Sequence, residues 1–392
     1  MSNLLANDDF ENYDDFENYS DDLLISEEKM SGIVSGSTDW TTDTIVRQIE
    51  KGNIELSPMF QRRDAWTINK KSLFIESLAL GLPIPQIVLA HQNGKFIVLD
   101  GKQRLLSLMQ FFNKCGYTPF NLRGLSILKN LNGKNYTQLE NDFAFREYLN
   151  RIENATIRTV VIKNWRNDNV LYQIFWRLNT SSVPLSPQEL RGALFPGGFV
   201  DFINQESSSN NFLKNIFKGK EDFRMRDAEL LIRYIAYKYF YKVYTGNLKV
   251  FLDTACKELN DQWETAQEDI KEDFQMFNIA CKITQEIFCD DMFCKYSPNK
   301  QQYEKKFNRA VFDIMVYYFS KPSVANAVKN KQEEIKRGFE ELCVNDQQFL
   351  ASLSSTTKSI EANNIRFACW GNLLKEVLQQ SIDVPVFKGE GM

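Results

Sequence analysis

The feature that most constrains the fold is a pair of apolar runs joined by a turn and followed by a glycine-initiated helix. Residues 86–90 and 95–100 have the composition of strands, and the Asn-Gly pair between them is a strong β-hairpin signal. Gly101 then ends the second run, and residues 102–114 carry apolar side chains at helical spacing. A hairpin that leads directly into a helix requires a domain that mixes strands and helices.

The periodicity of the apolar residues changes near residue 185. Before that point it predicts further helices at 44–51, 68–80 and 168–178 and further strands at 54–56 and 156–162. After that point it predicts helices alone, at 225–241, 248–260, 264–288, 301–319 and 363–380. We therefore predict an α+β protein in which a mixed α/β domain (38–195) is followed by an all-helical domain (196–392).

The first thirty residues are strongly acidic and repetitive. They contain ten Asp or Glu residues and one Lys, and the hexapeptide DDFENY occurs twice in tandem at 8–13 and 14–19. Dense charge and low complexity predict a disordered arm over 1–37, with a flexible Gly/Ser joint at 32–37. The arm is either a solubilising tail or a mimic of a nucleic-acid strand, because the rest of the chain carries a net charge of +5.

The chain contains a single histidine, His91. Zinc sites built on paired histidines and HNH-type nucleases therefore become difficult or impossible to assemble from these residues. His91 follows an apolar run just before the Asn-Gly turn, which favours a surface turn position over a catalytic base.

The seven cysteines are odd in number and lack the dense spacing of a secreted scaffold. They indicate reduced, mostly buried thiols in a cytoplasmic protein. Cys281, Cys289 and Cys294 form no CxxC pair and have no nearby His, so we expect no metal site there. The sequence shows no signal peptide, and its apolar runs are shorter than the ~18 residues that span a membrane, so we expect no membrane contact.

The sharpest chemical signal is the run KFIVLDGKQR at 95–104. A strand, a glycine turn and a helix start form a geometry that binds anions, because the unpaired N–H groups of the first helical turn point towards a ligand. Asp100 could accept from a ribose hydroxyl, hold Mg²⁺ or orient a water, and Gln103 and Arg104 could reach phosphate oxygens. An ordinary turn with a helix cap is the alternative.

Two other polar clusters accompany it. Gln61, Arg62 and Arg63 lie in one loop between aromatic residues, which suits phosphate or nucleic-acid contact, although a solvated basic loop has the same composition. The run RLNTSS at 177–182 leads into a helix start at 186–187, where capping alone is the alternative. The chain has no GxxxxGK[ST] and no GxGxxG motif, so a nucleotide would need a different cradle.

Taken together, these motifs resemble a known family. FQR, LPIP, DG-x-QR and RLNTSSVPLSPQELR occur in this order, and the order is similar to that in the N-terminal domain of the GmrSD-type restriction family. The resemblance covers residues 40–191 well and continues loosely into the helical half. It implies a ParB- and sulfiredoxin-like fold with a nucleotide pocket, used in modification-dependent restriction and other anti-phage systems.

The resemblance also implies roles for single residues. In the family the DGQQR motif carries nucleotide hydrolysis, which implies catalytic roles for Asp100, Gln103 and Arg104, with Mg²⁺ at Asp100 and an NTP, GTP favoured, as substrate. The residues expected to bind the nucleotide are Gly101, Lys102, Gln61, Arg62, Arg177, Asn179 and Thr180. DNA is expected over Arg62 and Arg63. Lys102 replaces the usual glutamine; its charge could pair with a phosphate, or it could indicate altered or lost turnover.

These features predict a Mg²⁺-dependent NTPase that acts as a DNA sensor or regulatory subunit of a restriction-like anti-phage system. Because one histidine cannot supply an HNH-like nuclease, we expect a stand-alone member whose partners are DNA and a separate nuclease or defence-system subunit, unless the ParB-like domain itself nicks DNA weakly. Self-association into a homo-oligomer stays open. The alternatives are a non-catalytic DNA-binding or assembly module with a remnant pocket, and a structural interaction protein.

Overall fold

The structure is a computed structural model of the 392-residue chain. It describes residues 33–54, 56, 64, 66–92, 94–165, 168–178, 186–217, 222, 224–354 and 357–388. These residues form two compact units. The N-terminal unit contains the described residues up to 194 together with 222, 224 and 225, and the C-terminal unit contains 195–217 and the described residues from 226 onwards.

The N-terminal unit is built on a mixed sheet. Its strands are β1 Val34–Thr41, β2 Ile87–Gln92, β3 Lys95–Asp100 and β4 Thr156–Lys163. Its helices are α1 Thr42–Glu50, α2 Ile68–Ala79, α3 Lys102–Phe111, α4 Tyr136–Asn141, α5 Arg146–Asn154, α6 Asp168–Leu178 and α7 Pro187–Leu194. The described strands pair in the order β1-β4-β2-β3.

Strand direction places four chain ends at one edge of this sheet. β2 is parallel to β4, whereas β3 is antiparallel to β2 and β1 is antiparallel to β4. The ends of β1 and β3 and the beginnings of β2 and β4 therefore share an edge, and Asp100 pairs with Val88 there. The step from β3 into α3 takes place at this edge.

Both faces of the hairpin strands are buried. Ile87, Leu89 and Val98 belong to one hydrophobic core with residues of α1, α2, α3 and α5. Successive strand residues point to opposite faces, and Ile97 and Leu99, which face the other way, are buried as well. On that side α6 and α7 pack against β3. Helices therefore enclose β3 from both sides just before it turns into α3.

The C-terminal unit is mainly helical. Its elements are α8 Gly198–Ser209, α9 Asn211–Ile216, α10 Arg226–Phe240, α11 Leu248–Asp261, α12 Trp263–Phe288, β5 Cys294–Ser297, β6 Gln302–Phe307, α13 Arg309–Phe319, α14 Pro322–Ala327, α15 Gln332–Asn345, α16 Gln347–Ser352 and α17 Ile360–Leu378. The long α12 packs along α13, and α10 packs against both α11 and α13. Within the described part of the chain, no helix is both long and apolar enough to cross a membrane.

The predicted fold class, α+β with a helical C-terminal region, is confirmed, and one element of that region departs from it. Strands β5 and β6 form an antiparallel hairpin, so the helix expected over 301–319 begins only at Arg309. Strand β6 is mostly polar and shows no clear alternation, so apolar periodicity does not reveal it. Asn308, whose side chain accepts from the Val311 N–H group (3.0 Å), marks the true helix start.

Two local expectations in the first hundred residues are wrong. Residues 34–37 are not a flexible joint but the beginning of β1, which pairs with β4 although its side chains are largely exposed. His91 is not a turn residue but lies within β2, half-buried, with its ring 5.0 Å from that of Phe96. The strand expected at 54–56 is reduced to a single bridge from Ile54 to Phe96, and Glu55 lies outside the described residues.

The cysteines agree with the sequence prediction of reduced, mostly buried thiols. None of the seven forms a disulfide, and Cys256, Cys281, Cys294 and Cys343 are buried. Among the described residues, no cluster of three or more His, Cys, Asp or Glu side chains could hold a metal ion.

Candidate functional site

The step from β3 into α3 depends on Gly101. Its φ of +98° lies in the left-handed region, and a Cβ atom at this position would come within 2.9 Å of the Ile87 Cγ1 atom. No side chain of the described residues caps α3, and the first helical hydrogen bond runs from the Leu105 N–H group to the Gly101 carbonyl oxygen (3.0 Å). This helix start has the geometry that favours an anion.

The acidic and basic side chains of the motif pair with each other. Arg104 donates from Nη2 to Asp100 Oδ2 (2.8 Å) and to the carbonyl oxygen of Gln86 (3.1 Å). The Asp100 side chain keeps 26% of its surface exposed and the Arg104 side chain 12%. The site thus presents a carboxylate that solvent and a ligand can reach, oriented by a guanidinium.

Two polar atoms of the motif are buried without a hydrogen-bond partner among the described residues. They are Arg104 Nε, a donor, and Gln103 Oε1, an acceptor. Leaving such a group unpaired costs about 1–3 kcal/mol. A ligand or a water that hydrogen-bonds to either atom would therefore be stabilised at the start of α3.

Lys102 lies inside the protein and not at its surface. Its side chain is 3% exposed and forms an ion pair with the Glu189 carboxylate, which is 5% exposed. Glu189 belongs to the first turn of α7, and its other oxygen accepts from the Ser186 N–H group (2.7 Å). The Ser186 Oγ atom in turn accepts from the Glu189 N–H group (3.0 Å), which completes a capping box. The start of α7, at the end of the 177–191 run, is thereby joined to Lys102 in the 95–104 run.

Asp64, the residue that follows Gln61, Arg62 and Arg63 in the sequence, contacts α3. One carboxylate oxygen, Oδ2, contacts the Lys71 ammonium of α2 and accepts from Gln110 Nε2 of α3 (3.1 Å). Gln110 and Gln103 are seven residues apart, so they share a face of α3 about 10 Å from each other. Asp64, the residue that directly follows Arg63 in the sequence, therefore lies beside that face.

The remaining predicted residues are placed only in part. Arg177 lies in the last turn of α6, a helix that packs against β3, and its side chain is exposed. Five predicted residues lie outside the described part of the chain: Gln61, Arg62, Arg63, Asn179 and Thr180. The structure thus brings Asp100, Gly101, Lys102, Gln103 and Arg104 together at one corner and leaves the other assignments as predictions.

Sequence reasoning missed Asp64 and Glu189, although each lies within a motif that it had singled out. A signal existed for Glu189: it follows Ser186 by three residues, which is the spacing of a capping box. Lys102 gave a second signal, because a lysine in a mostly apolar helix next to a buried strand requires a carboxylate partner. Asp64 offered no such local pattern.

A cavity of about 470 Å³ lies at the same sheet edge as the β3–α3 corner. Its lining comes from the end of α2 and the following turn, the end of α5 and the start of β4: Leu78, Ala79, Leu80, Gly81, Leu82, Ile84, Arg151, Asn154, Ala155 and Thr156. This volume is in the range of small-molecule pockets. The lining exposes polar and apolar atoms to a similar extent, and Arg151, its charged member, pairs with Glu147 (2.5 Å).

The donor set at the corner fits one kind of metal chemistry. Asp100 supplies one reachable carboxylate, too few for a metal cage made of protein ligands. Mg²⁺ commonly binds through one or two carboxylates while phosphates and waters supply its other ligands. Asp100 therefore fits a Mg²⁺ ion that arrives with a nucleotide, and it does not fit a resident structural ion.

Comparison with known proteins identifies the N-terminal half. Residues 43–196 match the family model described as GmrSD restriction endonuclease, N-terminal domain. The matched segment runs from α1 to just beyond α7 and contains all three motifs. The similarity to this family that the motifs predicted is therefore confirmed for residues 43–196. No curated protein and no solved structure matches the chain.

Proposed function

We propose that this protein is an NTP-binding and NTP-hydrolysing component of a restriction-like defence system. The observation that carries the proposal is the β3–α3 corner, where an uncapped helix start, a reachable carboxylate and a buried guanidinium lie within five residues. The domain match supports the defence context, because the matched family is described as a restriction endonuclease.

The phosphates of the nucleotide bind at the start of α3. The N–H groups before Leu105 supply donors, and Gly101 supplies the left-handed φ of +98° from which the helix starts. Arg104 adds a fixed positive charge whose Nε atom is buried and unpaired among the described residues. A guanidinium binds phosphate oxygens well because its donors are arranged as a planar fork.

Asp100 and Gln103 act on the reacting group. The Asp100 carboxylate, oriented by Arg104, binds the Mg²⁺ that accompanies the nucleotide or orients the attacking water. When bound, Mg²⁺ neutralises part of the phosphate charge. The Gln103 side chain, three residues further on, offers a buried amide oxygen with no partner among the described residues, which suits an acceptor for that water. GTP is the favoured substrate, on the family resemblance alone.

DNA and a separate nuclease complete the proposed system. DNA binds through Arg62 and Arg63, which immediately precede Asp64 in the sequence; Asp64 itself is anchored on α2 and α3. The single histidine of the chain cannot form an HNH-like nuclease, so cleavage is assigned to another chain. Nucleotide turnover would then control that partner through a change in conformation.

The test is phosphate release from GTP, ATP and CTP in the presence of Mg²⁺, with and without DNA. Wild-type protein is compared with Asp100→Ala and with Asp39→Ala, a matched control whose exposed carboxylate pairs with Arg158 on β4. The proposal predicts turnover that disappears in Asp100→Ala and persists in Asp39→Ala. Wild-type protein that releases no phosphate from any nucleotide would contradict it.

A second candidate function is a non-catalytic DNA-binding or assembly module. The observation in its favour is that the Lys102 ammonium is paired with Glu189. The resemblance to the family implies a glutamine at position 102. Under this alternative, nucleotide is not consumed and does not alter DNA affinity. Equal DNA affinity with and without GTP, together with absent turnover, would favour it over the proposed NTPase.

A further inference from the structure

Lys102 lies two residues after Asp100, the proposed catalytic carboxylate, yet its ammonium group is buried. Its side chain is 3% exposed, and its ammonium contacts Glu189 of α7. An ammonium in such surroundings needs a carboxylate partner, since burial without one is strongly unfavourable. The charge that replaces the family's glutamine is therefore committed to a contact within the protein.

Glu189 connects two structural elements through one carboxylate. Its Oε1 atom contacts Lys102, the first residue of α3, and its Oε2 atom accepts from the Ser186 N–H group at the start of α7. Lys102 and Glu189 are 87 residues apart in sequence. Ser186 directly follows the segment that contains Asn179 and Thr180. Glu189 therefore holds Ser186, at the start of α7, close to the start of α3.

We infer that Glu189 is a positioning residue of the proposed nucleotide site and that Lys102 is its partner. Their buried pair holds the start of α7 against the start of α3. The Lys102 charge serves this contact and not a phosphate. The inference rests on the proposed nucleotide binding. It explains how a lysine is accommodated in the motif without adding a charge to the phosphate site.

The pair can be tested with neutral replacements that keep the side-chain length. Glu189→Gln leaves a buried ammonium without its partner but retains the amide acceptor of the capping box. Lys102→Gln leaves a buried carboxylate without its partner and restores the residue usual in the family. In the double variant, two neutral amides face each other and can form a hydrogen bond. A buried pair elsewhere, Lys249 with Asp253 in α11, supplies the control variant Lys249→Gln.

Two quantities are measured on each variant: the thermal unfolding midpoint by circular dichroism, and the Kd of N-methylanthraniloyl GTP with Mg²⁺ by fluorescence. The Kd is measured at a temperature at which every variant is folded. We expect each single variant to weaken nucleotide binding about tenfold or more. We expect the double variant to recover binding to within about threefold of wild type. Lys249→Gln should lower the unfolding midpoint and leave the Kd unchanged.

The outcomes separate the inference from the function on which it rests. Folded single variants that bind nucleotide as wild type does would overturn the positioning role and leave the proposed function intact. A double variant no better than the two single losses combined would also overturn it, because independent effects add. Wild-type protein that binds no nucleotide would overturn the proposed function and the positioning role together.

Discussion

Arg104 donates to Asp100 across the turn formed by Gly101, with 2.8 Å between Nη2 and Oδ2. The same nitrogen donates to the carbonyl oxygen of Gln86, just before β2. One guanidinium therefore joins the beginning of β2, the end of β3 and the first turn of α3. It fixes the orientation of the carboxylate that the proposed reaction needs.

Arg104 should not be replaceable by lysine. Arg104→Lys keeps a positive charge but loses the planar fork, so it cannot maintain both contacts and still offer a donor to phosphate. We expect phosphate release to fall about tenfold or more. The control is Arg158→Lys, since Arg158 is exposed and pairs with Asp39 on β1. Steady-state turnover measures both, and full activity in Arg104→Lys would contradict the role assigned to the guanidinium.

Gly101→Ala should destabilise the N-terminal unit more than an alanine at another left-handed glycine. The new Cβ atom would suffer both the strained φ of +98° and the contact with Ile87. Gly52 supplies the comparison, because its φ is +71° and no atom lies within 4 Å of the added Cβ. We expect a loss of about 2–4 kcal/mol at Gly101 and about 1 kcal/mol at Gly52, measured by urea unfolding. Equal losses of unfolding free energy in the two variants would show that the contact with Ile87 adds nothing to the cost at Gly101.

Glu76 should make stability depend on acid pH. Burial raises the pKa of its carboxyl, but the N–H groups of Leu128, Ile127 and Ser126, with the Ser126 hydroxyl, outweigh this and lower the pKa below 4.5. Because the folded pKa lies below the unfolded one, the contribution is complete above the unfolded pKa and is lost as pH falls through the folded pKa.

Glu76→Gln should therefore cost about 1–3 kcal/mol at neutral pH and flatten the loss of stability below about pH 4.5. The matched control is Glu147→Gln, whose carboxylate is exposed and pairs with Arg151 on the surface. Urea unfolding at several pH values between 3 and 7 measures the effect. If the stability of Glu76→Gln falls with pH in parallel with that of wild type, the Glu76 carboxyl is not the source of the pH dependence.

The Arg233–Asp313 pair should be the main buried ion pair that stabilises the C-terminal unit. Arg233 contacts Asp313 through both Nε (3.0 Å) and Nη2, and Arg366 lies 3.8 Å from the same carboxylate. Asp313→Asn leaves two buried guanidinium groups without a full counter-charge, and we expect a loss of about 3–5 kcal/mol. Glu268→Gln, which removes an exposed pair with Lys271, should cost less than about 1 kcal/mol. Thermal unfolding measures both variants. Similar losses of stability would contradict the larger contribution expected of the buried pair.

Local patterns predicted the part of the fold that surrounds the site. The hairpin of β2 and β3, the glycine turn and α3 were all expected, because turn residues and apolar periodicity act over a few positions. Strand β1 was missed because its residues, VSGSTDWT, show no alternation, and its pairing with β4 is more than a hundred residues distant.

The contacts that organise the candidate site could not be predicted in the same way. Lys102 and Glu189 are 87 residues apart, and Asp64 and Gln110 are 46 residues apart. Such pairs depend on how helices pack on a sheet, which a local pattern does not specify. The sequence could indicate which residues carry chemistry, but not that Lys102 would be committed to a carboxylate of α7.

The most direct test of the central claim is hydrogen–deuterium exchange on wild-type protein with and without GTPγS and Mg²⁺. If the phosphates bind at the start of α3, the backbone N–H groups of residues 101–105 should exchange more slowly when the nucleotide is present. Peptides from α12 in the C-terminal unit serve as the internal reference. Binding of the nucleotide without added protection at 101–105 would contradict the proposed site.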